Sequence, residues 1–253
     1  MNNGEGCYIY GIIGAKHRQE FGPIGIGGRG DVVYTLPYQD VAAIISRSPI
    51  VKYPVSRENT IAHAKVLEKV VEEYTVLPVR FCTISEDEET IIEKLLEPRR
   101  QEFLGLLRRM HGKMEIGIRA RWVDLDAIFA ELVEENKDIK ALKEAVLLEK
   151  DRQAKHANTV LIGQLVQEAL AEKRKREAEE LLEALRPLSL DCKEMQSYGD
   201  MNIVNAAFLV EREKEHYFDQ KVNELSILQE KRKQIKYTSS IVPYNFVTIV
   251  VHW

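Results

Sequence analysis

The sequence predicts an α+β protein of two domains: an N-terminal domain built on a small mixed α/β sheet and a C-terminal ferredoxin-like domain. The chain has 253 residues, which exceeds the roughly 100 to 150 residues at which single hydrophobic cores are most common. Runs with a period of two residues, typical of strands, alternate with runs whose apolar residues recur at helical spacing. We predict domains at 1–111 and 112–240, followed by an apolar C-terminal tail at 241–253.

The N-terminal domain is expected to begin as a sheet. Runs of β-branched and aromatic residues at 7–13, 31–36 and 41–46 are separated by Gly, Pro and Asp, as strands are. Ser56 is a suitable N-cap for a helix that packs one apolar stripe on that sheet. The stripe comprises His63, Leu67, Val70, Val71 and Tyr74.

The run LPVRF at 77–81 predicts a return to a strand. Pro78 has no backbone N–H, so this strand is expected at a sheet edge or a bulge. Ser85 and Glu88 have the spacing of a capping box ahead of a helix, and a further helix is predicted from about 98 to 110. These helices complete the first domain.

The C-terminal domain is predicted from its order of elements, which is β, α, β, β, α, β. This order is typical of a ferredoxin-like domain, an antiparallel sheet with its helices on one face. The elements are a strand at 114–122, helices at 124–148 and 151–185, strands at 191–197 and 202–210, a helix carrying Phe218, Val222, Leu225 and Leu228, and a strand at 234–237. The tail, VPYNFVTIVVHW from 242, is expected to pack on its own domain or on a partner.

Composition and charge exclude several classes of function. The 36 Lys and Arg against 40 Asp and Glu leave a formal charge of −4, which gives no broad attraction for nucleic acid or anionic membrane. No signal peptide and no run of 18 apolar residues is found, so we predict no membrane span. Cys7, Cys82 and Cys192 lack C-x-x-C spacing, so we expect free thiols in a reducing cytoplasm.

Two motifs suggest ligands, but their context favours structure. Gly25, Gly27 and Gly30 fit G-x-G-x-x-G, yet a strand-like run follows them where a dinucleotide site needs a helix, so a hairpin loop is favoured. The acidic run at 85–89 is interpreted as a helix first turn that complements the helix dipole, because consecutive helical residues do not converge on one metal ion. We therefore predict no cofactor and no metal.

No catalytic residue is predicted, and the chain is not expected to be an enzyme. The six histidines form no H-x-x-x-H pair, there is no G-x-S-x-G motif, and nothing in the sequence supplies Cys82 with an activating base. His63 is interpreted as a hydrogen-bonded core residue.

Two groups of basic residues each leave an alternative open. Arg80 lies between Val79 and Phe81, where a structural ion pair is favoured over an anchor in a partner interface. The run 173–176, KRKR, is flanked by glutamates, so a solvated helix face with i to i+4 pairs is favoured over contact with nucleic acid phosphate.

The most distinctive stretch of the chain extends from His63 to Thr83. Its characteristic residues are His63, Val66, Leu67, Glu68, Val70, Glu73, Val76, Leu77, Pro78, Val79, Arg80, Phe81 and Thr83. Further blocks are YIYGII at 8–13, GIGG at 25–28, MEIGIRARW at 114–122, NAAFLV at 205–210 and VPYNFV at 242–247. Together these blocks resemble the gas vesicle accessory proteins of the F and L family. Cys82 departs from the family, which usually has glycine there, and Ser239 and Ser240 replace its usual Gly-Pro.

The resemblance implies an accessory or minor structural protein of gas vesicles, cytoplasmic and associated with the vesicle. Its expected partners are the major gas vesicle shell protein and other accessory proteins. A shell whose inner wall repels water needs subunits with a large apolar face, which is an aggregation hazard until it is covered. We expect the partner interface to include Arg80, Phe81, Tyr244 and Phe246. The alternative is a ferredoxin-like regulatory module that binds a small ligand.

Overall fold

The computed structural model describes residues 4–240 and 242–253 and has an α+β fold with two antiparallel sheets and helices. Its contacts divide the chain into two compact units. The first unit extends to Glu115 and includes Leu209–Glu213 and the segment from Ser239 onward. The second unit comprises Ile116–Phe208 and Lys214–Thr238, so it is interrupted by one segment of the first.

The first sheet has five strands in the order β2-β3-β4-β1-β5, and each neighbouring pair is antiparallel. The strands are β1 (Glu5–Ile13), β2 (Glu20–Gly22), β3 (Val33–Tyr38), β4 (Val41–Pro49) and β5 (Val76–Ser85). Strand β1 pairs with both β4 and β5, and its residues from Gly6 to Ile13 are buried. The loop that carries the G-x-G-x-x-G pattern joins the antiparallel strands β2 and β3, which confirms the hairpin.

Helix α1 (Arg57–Val71) packs on this sheet through the predicted apolar stripe. The side chain of Ser56 accepts a hydrogen bond from the Asn59 N–H, so the predicted N-cap is confirmed. His63, Leu67, Val70 and Val71 are buried, and Tyr74 packs at the margin of the same core.

After β5 the chain forms α2 (Glu88–Ile91), a π-helical turn (Ile92–Leu96) and α3 (Glu97–Met110). The predicted capping box of Ser85 and Glu88 is wrong. Asp87 caps the helix by accepting from the Thr90 N–H at 2.7 Å, because the helix begins two residues later than the capping box requires. Glu88 pairs instead with Arg47 and accepts a hydrogen bond from the Tyr34 hydroxyl.

The second sheet has four strands in the order β7-β8-β6-β9. The strands are β6 (Lys113–Trp122), β7 (Asp191–Glu194), β8 (Asn202–Glu211) and β9 (Lys233–Ser240). The predicted buried face of β6 is confirmed, because Met114, Ile116, Ile118, Ala120 and Trp122 are all buried.

The helices of the second unit are α4 (Leu125–Glu135), α5 (Lys137–Leu148), α6 (Arg152–Leu185) and α7 (Glu215–Gln229). The segment 124–148, predicted to be helical, forms two helices. Asn136 ends α4 in an extended conformation and accepts hydrogen bonds from the N–H groups of Asp138 and Ile139, so it caps α5. The apolar stripe predicted for α7 ends early, because Leu228 is 79% exposed.

The middle of α6 is only in part the solvated face that its charges suggest, because most of its charged side chains are exposed but two are buried. Lys173 and Glu177 are 3% and 5% exposed. The Lys173 ammonium pairs with Glu131 at 3.2 Å and Glu135 at 2.9 Å, both on α4. For Lys173, the expected i to i+4 pairing within α6 is therefore replaced by ion pairs with another helix, which offset the desolvation penalty of burying its charge.

Glu177 lies in the middle of a buried charged cluster. It accepts hydrogen bonds from Arg232 at 2.6 Å and from the Trp122 indole at 2.9 Å, and it pairs with Lys233 at 3.1 Å. Burial alone would raise the pKa of this carboxyl, but the donors outweigh it and the pKa is lowered. Arg232 also binds Glu131 and is the main cause that lowers the pKa of Glu131 to about 2.

None of the helices that the structure describes combines the length and the hydropathy that a membrane crossing requires.

Candidate interaction surface on the first unit

Strand β5 is the edge of the first sheet and carries most of the distinctive stretch. Its two ends pair with β1, with Pro78 opposite Gly11 and Thr83 opposite Ile9. Between these two pairs β5 has four residues, 79–82, whereas β1 has only one, Tyr10. Strand β5 therefore bulges at 79–82. Both expectations for Pro78, an edge strand and a bulge, are confirmed.

Cys82 lies in this bulge in the left-handed conformation, with φ of +63°. That conformation is costly for residues with a Cβ and favours glycine, so the sequence prediction of an unusual backbone at Cys82 is confirmed. Two contacts hold the cysteine in place. Its N–H donates to the Tyr8 hydroxyl at 2.8 Å, and its Sγ accepts from the Tyr53 N–H at 3.2 Å.

Replacing Cys82 tests this backbone constraint. We expect Cys82→Gly to change the free energy of unfolding by less than about 1 kcal/mol, because relief of the left-handed strain offsets the lost sulfur contact. Cys82→Val is expected to cost about 2 kcal/mol more, because a β-branched residue is a genuine outlier at positive φ. Urea unfolding of both variants measures the difference, and equal stabilities would contradict the assignment.

Behind the bulge, a buried polar network joins β1 to α1 and β4. The Tyr8 hydroxyl accepts from the Cys82 N–H at 2.8 Å and is hydrogen-bonded to His63 Nδ1 at 3.0 Å. Tyr10 accepts from the Ile26 N–H at 2.8 Å and bonds to Ser46 Oγ at 2.9 Å. Burial lowers the pKa of His63 to about 4 and raises the pKa of Tyr10 to about 12, so both groups are neutral at pH 7. His63 is therefore a hydrogen-bonded core residue, and its partner is a tyrosine side chain.

The C-terminal tail packs within the first unit, along the outer edge of β5. The Ile249 N–H donates to the Pro78 carbonyl at 2.8 Å, and the Arg80 N–H donates to the Ile249 carbonyl at 2.9 Å. These bonds form a parallel bridge between Val79 and Ile249. Arg99 on α3 also donates to the Val250 carbonyl at 2.9 Å. The tail thus closes the part of the edge from Pro78 to Arg80.

The four residues predicted for a partner interface differ in their accessibility. Arg80 is exposed, and Phe81 and Tyr244 are half-buried at the margin of the core. Burial raises the pKa of Tyr244 to about 12. Phe246 is 8% exposed, so it supports the tail from the core side.

Among the described residues, no carboxylate lies within 4 Å of the Arg80 guanidinium. The structural ion pair favoured for Arg80 from the sequence is therefore wrong, because its side chain extends from the edge strand into solvent.

Arg80 borders a groove of about 520 Å³, which we call the β5 groove. It lies between β5, residues 50–52 and the end of the tail. Its apolar walls include Ile50, Phe81, Ile84, Val251 and Trp253, and its charged side chains are Lys52 and Arg80. Sequence inspection missed Lys52 and Trp253, because they lie far from Arg80 along the chain.

Comparison with known proteins shows one consistent similarity. A family described as "Gas vesicle synthesis protein GvpL/GvpF" matches residues 6–248. The chain is 26% identical over 246 residues to gas vesicle protein F of Nostoc sp., covering 96% of this chain and 98% of that protein. The crystal structure of GvpF from Anabaena sp. PCC7120 superimposes with a TM-score of 0.81 at 27% identity, covering 97% of this chain and 99% of that one. GvpF from Microcystis aeruginosa gives a TM-score of 0.78 at 26% identity, covering 95% and 98% of the two chains.

Proposed function

Because the chain belongs to the gas vesicle synthesis protein GvpL/GvpF family, we propose that it acts in vesicle formation by binding the major gas vesicle shell protein and other accessory proteins. Family membership gives the chain a role associated with gas vesicles. Beyond that role, we infer that it is an assembly factor or a minor structural component that performs no catalysis. We place it in the cytoplasm, attached to the growing vesicle.

We also propose that residues 112–240 form a ferredoxin-like domain, with an N-terminal domain at 1–111 and a tail at 241–253. The order of strands and helices from β6 to β9 supports this assignment, and so does the central position of β6 and β8 in the second sheet.

One observation carries the proposed binding role, namely the β5 groove. It combines an unpaired exposed arginine with exposed apolar side chains, including Ile50 at 44% and Trp253 at 48% exposure. Arginine and aromatic residues contribute most to the energetics of protein interfaces, and exposed apolar patches mark such interfaces. We propose that Arg80, Phe81 and Tyr244 contact the partner and that Phe246 holds the tail beneath them.

The proposed role is tested by co-purification of the full chain with the major gas vesicle shell protein under assembly conditions. We expect the shell protein to be retained on the immobilised chain, and we expect cells that lack the chain to lose buoyancy. Arg109, which is exposed on α3 away from the groove, provides the control variant Arg109→Glu, which should retain the shell protein fully. Absence of retention together with normal flotation of the deletion strain would refute the role.

A further inference from the structure

We propose that the β5 groove binds a polypeptide segment in which apolar side chains are flanked by an aspartate or glutamate. This inference rests on the proposed function, because it gives the chemistry of the partner segment that the first unit recognises. The groove supplies two recognition elements, a cationic rim and an apolar wall, and each specifies one feature of the segment.

The two charged side chains that border the groove are both cationic. Lys52 and Arg80 are both exposed, and no aspartate or glutamate is found among the described residues that line the groove. Several other arginines of the first unit are already paired: Arg29 with Glu5, Arg47 with Glu88, Arg99 with Glu102 and Arg100 with Asp40. The chain as a whole carries a formal charge of −4, whereas the charged side chains at this groove are both positive. A partner carboxylate is the complementary group.

The wall of the groove is apolar and partly aromatic. Phe81 and Ile84 project from β5, and Val251 and Trp253 project from the tail. Covering exposed apolar surface is favourable, and Trp253 retains 48% of its exposure for a partner to cover. The groove volume of about 520 Å³ lies within the range of roughly 300 to 1,000 Å³ that binding clefts occupy. A few side chains of the partner therefore fit.

The backbone of β5 favours recognition through side chains over a continuous strand ladder. Beyond Arg80 the tail makes no further backbone bond to β5 among the described residues, and the bulge with its left-handed Cys82 interrupts the regular edge. Bulges prevent an edge strand from extending a sheet with another chain. We therefore assign the affinity to the carboxylate contact with Arg80 and Lys52 and to the apolar contact with Phe81 and Trp253.

Panning a phage library of random short peptides on the immobilised full chain tests the inference without the shell protein. We expect the selected peptides to share an Asp or Glu beside apolar residues. Synthetic versions should bind at least about tenfold more weakly to Arg80→Glu, and exchange of their acidic residue for lysine should restore binding to that variant. Arg109→Glu should bind them like the wild type, and the melting temperature of each variant verifies that it is folded.

Two outcomes would overturn the inference: no enrichment of acidic-apolar peptides, or enriched peptides that bind Arg80→Glu as tightly as the wild type. The peptide selection and the co-purification together distinguish failure of the groove assignment from failure of the proposed function. If the wild type retains the shell protein but selects no such peptide, the role holds and the groove assignment fails. If the chain selects Arg80-dependent peptides but does not retain the shell protein, the groove assignment holds and the role fails.

Discussion

Glu177→Ala is expected to lower the free energy of unfolding of the second unit by about 3 to 5 kcal/mol, the cost of removing one partner from a buried ion pair. Glu177 is 5% exposed and binds Arg232, Lys233 and the indole of Trp122. Without the carboxylate, Lys233, which is also 5% exposed, loses its counter-ion in a desolvated site. Glu177→Gln keeps the shape but loses the charge, so an intermediate loss of about 2 kcal/mol is expected.

Urea unfolding followed by tryptophan fluorescence measures this effect. The chain has two tryptophans, so a Trp253→Phe background leaves Trp122 as the reporter beside the mutated site. Glu180→Ala provides the control, because Glu180 lies on the exposed face of the same helix and its loss should cost less than about 0.5 kcal/mol. Equal losses at positions 177 and 180 would show that the charged cluster contributes nothing specific.

A second large effect is expected from His63 when the pH is lowered. Burial lowers the pKa of His63 from 6.5 to about 4 in the folded chain. Between pH 6.5 and about 4, His63 is protonated in the unfolded chain but neutral in the folded chain. The contribution of the neutral His63 to the free energy of unfolding is therefore complete above pH 6.5 and is lost as the pH falls towards 4. At about 1.4 kcal/mol per pH unit, the full loss is roughly 3 kcal/mol.

The variant His63→Gln isolates this contribution, because the glutamine side chain can still form a hydrogen bond with Tyr8 but does not titrate. We expect the wild type to lose about 2 kcal/mol more than the variant between pH 7 and about pH 4.5, measured by urea unfolding with circular dichroism. Carboxylates such as Glu131 titrate equally in both proteins and cancel in the difference. His156→Gln, at an exposed position of α6, should behave like the wild type. A parallel pH profile for His63→Gln would disprove the neutral buried state.

Local patterns predicted most of the fold, since amphipathic periodicity and turn residues depend on near neighbours. The stripe on α1, the Ser56 cap and the alternation of β6 were all visible in this way. Strand β2 was missed because three residues carry no measurable period. The burial of Lys173 and Glu177 was also missed, because the groups that neutralise them lie on α4 and beside β9, far away in sequence.

The β5 groove shows the same limit. The sequence context indicates Arg80 and Phe81, but the groove also includes Lys52, from the segment after β4, and Trp253, from the tail. Cys82 is the exception, because the departure from an expected glycine indicates an unusual backbone from the sequence alone, and its φ is +63°. A residue that departs from the expected type is visible in the sequence itself. Contacts between segments that are distant along the chain are not visible in a single sequence.

The bridge between Val79 and Ile249 also determines when the first unit is complete during synthesis. At about 5 to 20 residues per second, a ribosome needs on the order of ten seconds or more to add the residues between these positions. Throughout that interval β5 has been synthesised, but the tail that pairs with its edge has not. The whole second unit is synthesised during the same interval. Premature termination before Ile249 would therefore release a chain whose helices are all present but whose first sheet retains an open, aggregation-prone border.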